Sequence, residues 1–254
     1  MVNSINILGR EIPIYGILIC VGAALATIVA SLICKKRGLP AFEVHYSGVF
    51  ILVGALIGAK LLFILVSLED IIKYDVSLEA IFSGGFVFYG GLLGGLLGLI
   101  IYVKCFKMKF FPFADICAAV VSLGHAIGRI GCYLSGCCYG ISYSGIGCVI
   151  YTETLGMTPL NTPLLPIQLI ESLCLLLLFV FLMIVYHKSK TVGNISGIYL
   201  ISYGILRFIL EFFRGDAERG RLLLYTSQWI SLGLIICGIG ILIYLNRSKK
   251  LTDT

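Results

Sequence analysis

Seven stretches of roughly twenty apolar residues, about 12–34, 44–68, 84–103, 111–134, 166–186, 194–214 and 226–245, run through this chain of 254 residues. A helix needs about 20 apolar residues to cross the hydrocarbon of a bilayer, where no water is present to satisfy an irregular backbone. The pattern therefore predicts an all-α polytopic membrane protein with about seven transmembrane helices. Composition agrees, since 59% of residues are hydrophobic and mean hydropathy is +1.04, against about 45–50% apolar residues in a soluble domain. No basic n-region or small-residue cleavage site precedes the first span, so that span is expected to be retained and not cleaved as a signal peptide. Without repeats or low-complexity tracts, 1–254 reads as a single transmembrane domain. The longest inter-span loop, 141–165, is of a length suited to a lid.

Charge placement orients the spans. Lys35, Lys36, Arg37, Lys104, Lys107, Lys109, Lys188, Lys190, Arg247, Lys249 and Lys250 fall at alternate span ends, which face the cytoplasm by the positive-inside rule. The opposite ends carry Glu11, Glu69, Asp70, Asp75, Glu79, Glu153, Asp216 and Glu218 against Arg10, Lys73, Arg219 and Arg221. This places the N-terminus outside, the C-terminus inside and the 141–165 loop on the outer side. The net charge of +6 follows from the same asymmetry, and the partner it implies is the lipid bilayer, not nucleic acid.

Four cations remain in or beside spans: Lys60, Arg129, Arg207 and Arg214. Each costs about 2.5–3.5 kcal/mol at a helix centre on insertion scales, so it is either a snorkelling or packing charge or one with a task. Lys60 lies sixteen residues into its span, Arg129 eighteen and Arg207 thirteen, and with the assigned orientation all three reach the outer half, as do Tyr15, Tyr89 and Glu171. A shared depth points to a polar cavity. His125 and Arg129 are four apart on one helical face, as are Arg207 and Glu211. Two guanidiniums in low dielectric suit a phosphate, because the planar fork is always charged and binds oxyanions bidentately. At this depth a phospholipid head group is the natural ligand.

Other signals have plainer readings. The glycines of "YGGLLGGLLG", Tyr89 to Gly98, are four apart and read as close helix packing rather than as a phosphate-cradling loop. His45 and His187 read as interfacial. Cys20, Cys34, Cys105, Cys117, Cys174 and Cys237 read as small apolar fillers, whereas Cys132, Cys137, Cys138 and Cys148 gather at the outer end of the fourth span. Two adjacent cysteines followed ten residues later by another do not make a standard zinc spacing, so no metal and no cofactor is expected.

"GRIGCYLSGCCYG" (128–140) resembles a degenerate copy of the prolipoprotein diacylglyceryl transferase motif, GR-x-G followed by Asn-Phe, an apolar residue, Asn, any residue, Glu and, after two further residues, Gly. "PIYGILICVG", "FVFYGGLLGG", "LPIQLIES" and "SYGILRFILEFFRGD" resemble further segments of that family in the same order. The resemblance implies transfer of the diacylglyceryl group of phosphatidylglycerol to the lipobox cysteine of a prolipoprotein, with release of glycerol phosphate. It also implies that Arg129 and Arg207 are the essential arginines, Tyr15 and Tyr203 functional tyrosines, and Glu211 the acid beside the second arginine.

The departures lie on the other half of the motif set. Tyr89 stands where the family has a histidine, Cys132 and Ser135 replace two asparagines, Cys137 replaces a glutamate, and Leu165 replaces a second histidine. His125, one turn before Arg129, is a candidate general base. Cys137 admits several readings: a thiolate standing in for the carboxylate, a nucleophile, a disulfide partner of Cys132 or Cys148, or a space-filler. Beside the transferase stand two alternatives, a membrane thiol-redox or sulfur-handling protein and an inactive lipid-binding paralogue.

Overall fold

The computed structural model describes residues 4–7, 10–74, 77, 81, 85–154, 158–216 and 223–252. Asp75, Glu79, Glu218, Arg219 and Arg221, and positions 155–157 of the outer loop, lie outside the described residues. A two-stranded antiparallel hairpin, β1 (Ser4–Ile7) and β2 (Arg10–Pro13), leads into α1 (Ile14–Ile33) and a 3-10 turn over Cys34–Arg37. Then come α2 (Ala41–Val66), the short α3 (Leu68–Lys73), α4 (Phe88–Cys105) and α5 (Phe110–Ser135). After the strand pair β3 (Val149–Ile150) and β4 (Pro163–Leu164) follow α6 (Ile167–Lys188), α7 (Asn194–Leu210), a 3-10 turn over Glu211–Phe213 and α8 (Thr226–Thr252). Among the described residues six helices are long and apolar enough to cross a membrane, and a shorter apolar one covers Tyr89–Cys105. The chain is a multi-pass, all-α membrane protein. The third stretch was expected from residue 84, but its helix starts at Phe88 and has 18 residues, about 27 Å at 1.5 Å per residue.

Chain contacts divide the molecule into two compact units, Ser31–Phe113 and Met1–Ala30 with Ala114–Thr254. In the first, α2 and α4 pack backbone to backbone. A Cβ on Gly58 would lie 2.3 Å from the Gly90 carbonyl oxygen and one on Gly94 would lie 2.1 Å from that of Gly54, so only glycine permits the approach. Small residues are how helices gain contact where lipid removes the hydrophobic drive, and the glycines of 89–98 serve packing as their spacing predicts. Tyr102 is buried among Phe50, Phe106 and Phe113 and donates its hydroxyl hydrogen to Glu43. Lys60 sits with Nζ 4.8 Å and 5.0 Å from the Phe86 and Phe63 ring centres and 3.5 Å from the Gly85 carbonyl oxygen.

The second unit is built on α5. Its N-terminal Asp115, fully buried, accepts the backbone N–H groups of Gly193 (2.8 Å) and Ser196 (3.0 Å) and the Ser196 hydroxyl (2.9 Å). A carboxylate there satisfies the first N–H groups of α7 and meets the positive end of its dipole. Ser172 of α6 donates to the Ala126 carbonyl of α5 at 2.8 Å, and Gly22 of α1 rests on Gly124 of α5. These contacts fix the faces of α5, α6 and α7 that carry His125, Arg129, Glu171 and Arg207.

Candidate lipid phosphate site

Arg129 on α5, Glu171 on α6 and Arg207 on α7 meet within the second unit. Glu171 Oε1 lies 3.0 Å from Arg129 Nη2, 4.0 Å from Arg207 Nη1 and 4.0 Å from His125 Nε2. Arg207 Nη2 pairs with Glu211 Oε2 at 2.9 Å, across the four-residue spacing where α7 tightens into its 3-10 turn. Each arginine side chain is 11% exposed and that of Glu171 2%, so two cations and two carboxylates share one enclosed volume. That balance keeps the charges affordable inside a membrane. It does not use up the guanidiniums: Arg129 Nε and Arg207 Nη1 have no hydrogen-bond partner among the described residues. Since each guanidinium offers five donors in a fixed fork, both retain donors for an oxyanion. The Tyr203 ring stands 5.8 Å from that of His125 and stacks on Tyr199 at 5.6 Å. Tyr15 of α1 lies against Gly131, its Cδ2 3.1 Å from where a Cβ would be, and within electrostatic range of Arg129.

α5 ends in a Schellman motif. Gly136 has φ +66°, the Gly136 N–H returns to the Tyr133 carbonyl at 3.3 Å and the Cys137 N–H to that of Cys132 at 3.0 Å. A side chain there would also strike Thr154 Oγ1, 2.3 Å from an added Cβ. Cys138 follows at φ +55°, and the reversal brings three thiols together: the Sγ atoms of Cys132, Cys137 and Cys138 lie within 4.8 Å of one another. Arg129 Nη1 is 4.0 Å from Cys132 Sγ, so one guanidinium spans from the carboxylate to the thiols. Hydrogen bonds from Cys132 and Cys137, helped by the Arg129 and Arg214 charges, pull the Cys138 thiol well below the usual thiol range. Hydrogen bonds with Cys132 and Cys138 push Cys137 up.

The loop after the turn is bonded back onto it. Thr154 Oγ1 donates to the Ser135 and Gly136 carbonyls at 3.0 and 2.9 Å, Thr158 donates to Gly136, Gln168 Nε2 donates to the Cys137 carbonyl at 2.8 Å, and the Tyr151 hydroxyl donates to Tyr133 at 3.0 Å. Arg214, counted from sequence among the intramembrane cations, is held bidentately by Asp216 at 3.1 and 2.7 Å. Its backbone bridges to Gly140.

The structure thus holds His125, Arg129, Arg207, Glu211, Tyr203, Tyr15 and all four expected cysteines in one unit, and brings three of those cysteines together. Cys148 is not part of the three-thiol group; its N–H closes its own turn on the Gly145 carbonyl. Tyr89 and Lys60 belong to the other unit, Tyr89 in the first turn of α4. Sequence reasoning grouped Glu171 with the arginines by expected depth but gave it no role, and it overlooked Gln168 and Thr154. The signal for Glu171 was available: it is the one acid in a largely apolar span, in the second turn of α6.

The sequence model of the prolipoprotein diacylglyceryl transferase family matches residues 3–244. A phosphatidylglycerol–prolipoprotein diacylglyceryl transferase of Clostridium tetani is 35% identical over 92% of this chain and 93% of its own length. An enzyme with the same description, numbered 2, from Clostridium perfringens is 32% identical over 98% and 96%. One from Streptococcus agalactiae is 30% identical over 99% of each chain.

Proposed function

From its membership of the prolipoprotein diacylglyceryl transferase family, which the whole-length matches show, we propose that this chain is the enzyme that moves the diacylglyceryl group of phosphatidylglycerol to a cysteine thiol, releasing glycerol phosphate. One observation carries this reading. Two buried arginines that share Glu171 keep donors without a hydrogen-bond partner among the described residues, at Arg129 Nε and Arg207 Nη1. A phosphodiester monoanion is the ligand whose geometry and charge match them.

The chemistry follows from the charges. A sulfur lone pair attacks the glyceryl carbon that bears the phosphate, the carbon–oxygen bond breaks, and its electrons stay on the phosphate oxygen. The leaving phosphate gains a full negative charge during that step, so fixed guanidinium donors bind the transition state more strongly than the substrate. Glu171 and Glu211 keep the two forks oriented. Tyr203 and Tyr15 border the same volume and are proposed to position the lipid. The acceptor thiol must lose a proton, and the groups around the guanidiniums offer two routes: His125 beside Glu171, and the thiols of Cys132, Cys137 and Cys138 across Arg129.

The acceptor proposed is the lipobox cysteine of a prolipoprotein. The N-terminus then lies outside, the C-terminus in the cytoplasm, and the 141–165 loop covers the site as a lid within the one transmembrane domain. Its bonds to the α5 turn support that role, because moving the loop would release Thr154 and Thr158 from the thiol-bearing backbone. Complementation of a bacterial strain depleted of its own diacylglyceryl transferase tests the proposal. Rescue of growth and of lipoprotein modification is expected. Failure by a normally expressed, membrane-inserted protein would favour the lipid-binding paralogue.

A further inference from the structure

We propose that Cys132, Cys137 and Cys138 are a three-thiolate zinc site with an open fourth position, and that the acceptor thiol binds there to be deprotonated. The inference rests on the transferase reading and decides between the two routes for proton removal. Catalytic zinc sites keep three protein ligands and leave one position for water or substrate. With zinc–sulfur bonds of about 2.3 Å, tetrahedral geometry sets the sulfurs about 3.8 Å apart. The three Sγ atoms already lie within 4.8 Å of one another, so each pair has at most about 1 Å to close. The C-x4-C-C spacing is not a zinc spacing in an extended chain. It becomes one because Gly136 and Cys138, both at positive φ, turn the chain back on Cys132.

Two further observations fit this use. Zinc with three thiolates carries one negative charge, and a fourth thiolate makes two; Arg129 Nη1 stands 4.0 Å from Cys132 Sγ to offset them. The same guanidinium reaches Glu171 through Nη2, so the metal-bound sulfur and a phosphate on the arginines would be neighbours. His125 is placed less well for the task. By accepting a proton it would become a third cation around Glu171, which already serves Arg129 and Arg207.

The step balances without an oxidant or reductant. The acceptor R–SH loses its proton to solvent as its sulfur joins zinc, because a metal-bound thiol is deprotonated outright. The bound sulfur attacks the glyceryl carbon, the bond to the phosphate oxygen breaks, and glycerol phosphate leaves with the electron pair. The product is a thioether, a neutral and weaker ligand than a thiolate, and it dissociates. The three protein thiolates and zinc are unchanged.

Full-length protein purified in detergent under reducing conditions should contain about one zinc per chain by elemental analysis, falling at least about tenfold in Cys137→Ala and Cys138→Ala. Should those variants fail to fold, the wild-type protein exchanged into cobalt gives an independent reading. The cobalt form should show thiolate charge-transfer absorption and tetrahedral ligand-field bands, and a short cysteine peptide should shift those bands where its serine counterpart does not. Absence of stoichiometric zinc, zinc retained in both variants, copper in place of zinc, or a cobalt spectrum indifferent to the thiol would each overturn the proposal. A disulfide among the three cysteines in protein alkylated before lysis would also overturn it. Diacylglyceryl transfer measured in parallel separates the two readings. Transfer by metal-free protein retires the zinc and keeps the transferase, whereas bound zinc in a folded protein without transfer retires the transferase and keeps the site.

Discussion

The α2–α4 contact and the α5–α6–α7 cluster solve one problem in opposite ways. In lipid, helices gain little by burying apolar side chains against each other. The first pair removes side chains altogether, so that Gly54 and Gly58 meet Gly90 and Gly94 through backbone. The second group inserts charges and binds helices through Glu171 and its two arginines. The glycine contact has no spare chemical capacity, whereas the charged cluster retains guanidinium donors without a hydrogen-bond partner among the described residues. Substitutions should therefore separate: those in the glycine contact act on assembly, and those in the charged cluster act on ligand binding as well as stability.

The largest effect is expected from Glu171→Ala, which leaves Arg129 without its one carboxylate partner among the described residues and should destabilise the protein by about 3–5 kcal/mol, the usual cost of an uncompensated buried charge. If the cluster is a ligand site, added phosphatidylglycerol should restore part of the lost thermal stability by supplying an anion. Equal melting with and without the lipid would reduce Glu171 to a packing role. Gly94→Leu comes next: its Cβ would lie 2.1 Å from the Gly54 carbonyl, and overpacking of about 1–3 kcal/mol or more should lower the yield of folded protein in detergent chromatography. No lipid should rescue that variant.

Arg207→Lys keeps the charge and loses the fork. Phosphatidylglycerol binding should weaken by about 1–3 kcal/mol while melting changes little, and unchanged affinity would count against the phosphate assignment. The smallest effect is expected from Thr154→Ala, which removes the one hydroxyl donor shared between the Ser135 and Gly136 carbonyls of the α5 turn. A loss of about 0.5–1.5 kcal/mol is expected, read best as faster hydrogen exchange or thiol labelling at residues 137–138.

Much of this architecture was readable before any coordinates, and the rest was not for identifiable reasons. The spans follow from apolar length, and the Arg207–Glu211 pair and the glycine contact from four-residue spacing; all are local rules. Glu171 escaped a role because its partners lie forty-two residues before it and thirty-six after it in the chain, and no periodicity reports such a meeting. A turn at Gly136 was foreseeable, but Cys138 at φ +55° was not. Without that second left-handed residue the grouping of Cys137 and Cys138 with Cys132 could not be separated from a grouping with Cys148. Lys60 shared the arginines' expected depth yet rests between Phe63 and Phe86, because depth alone fixes no direction around a helix.

Head-group release tests the central claim most directly. Purified protein is supplied with phosphatidylglycerol labelled in its glycerol head group and a lipobox peptide carrying either cysteine or serine. Labelled glycerol phosphate should appear in step with peptide thioether, only with the cysteine peptide, and should fall steeply in Arg129→Lys and Arg207→Lys. A folded, lipid-binding protein that releases no glycerol phosphate, or releases it equally with the serine peptide, would contradict the account.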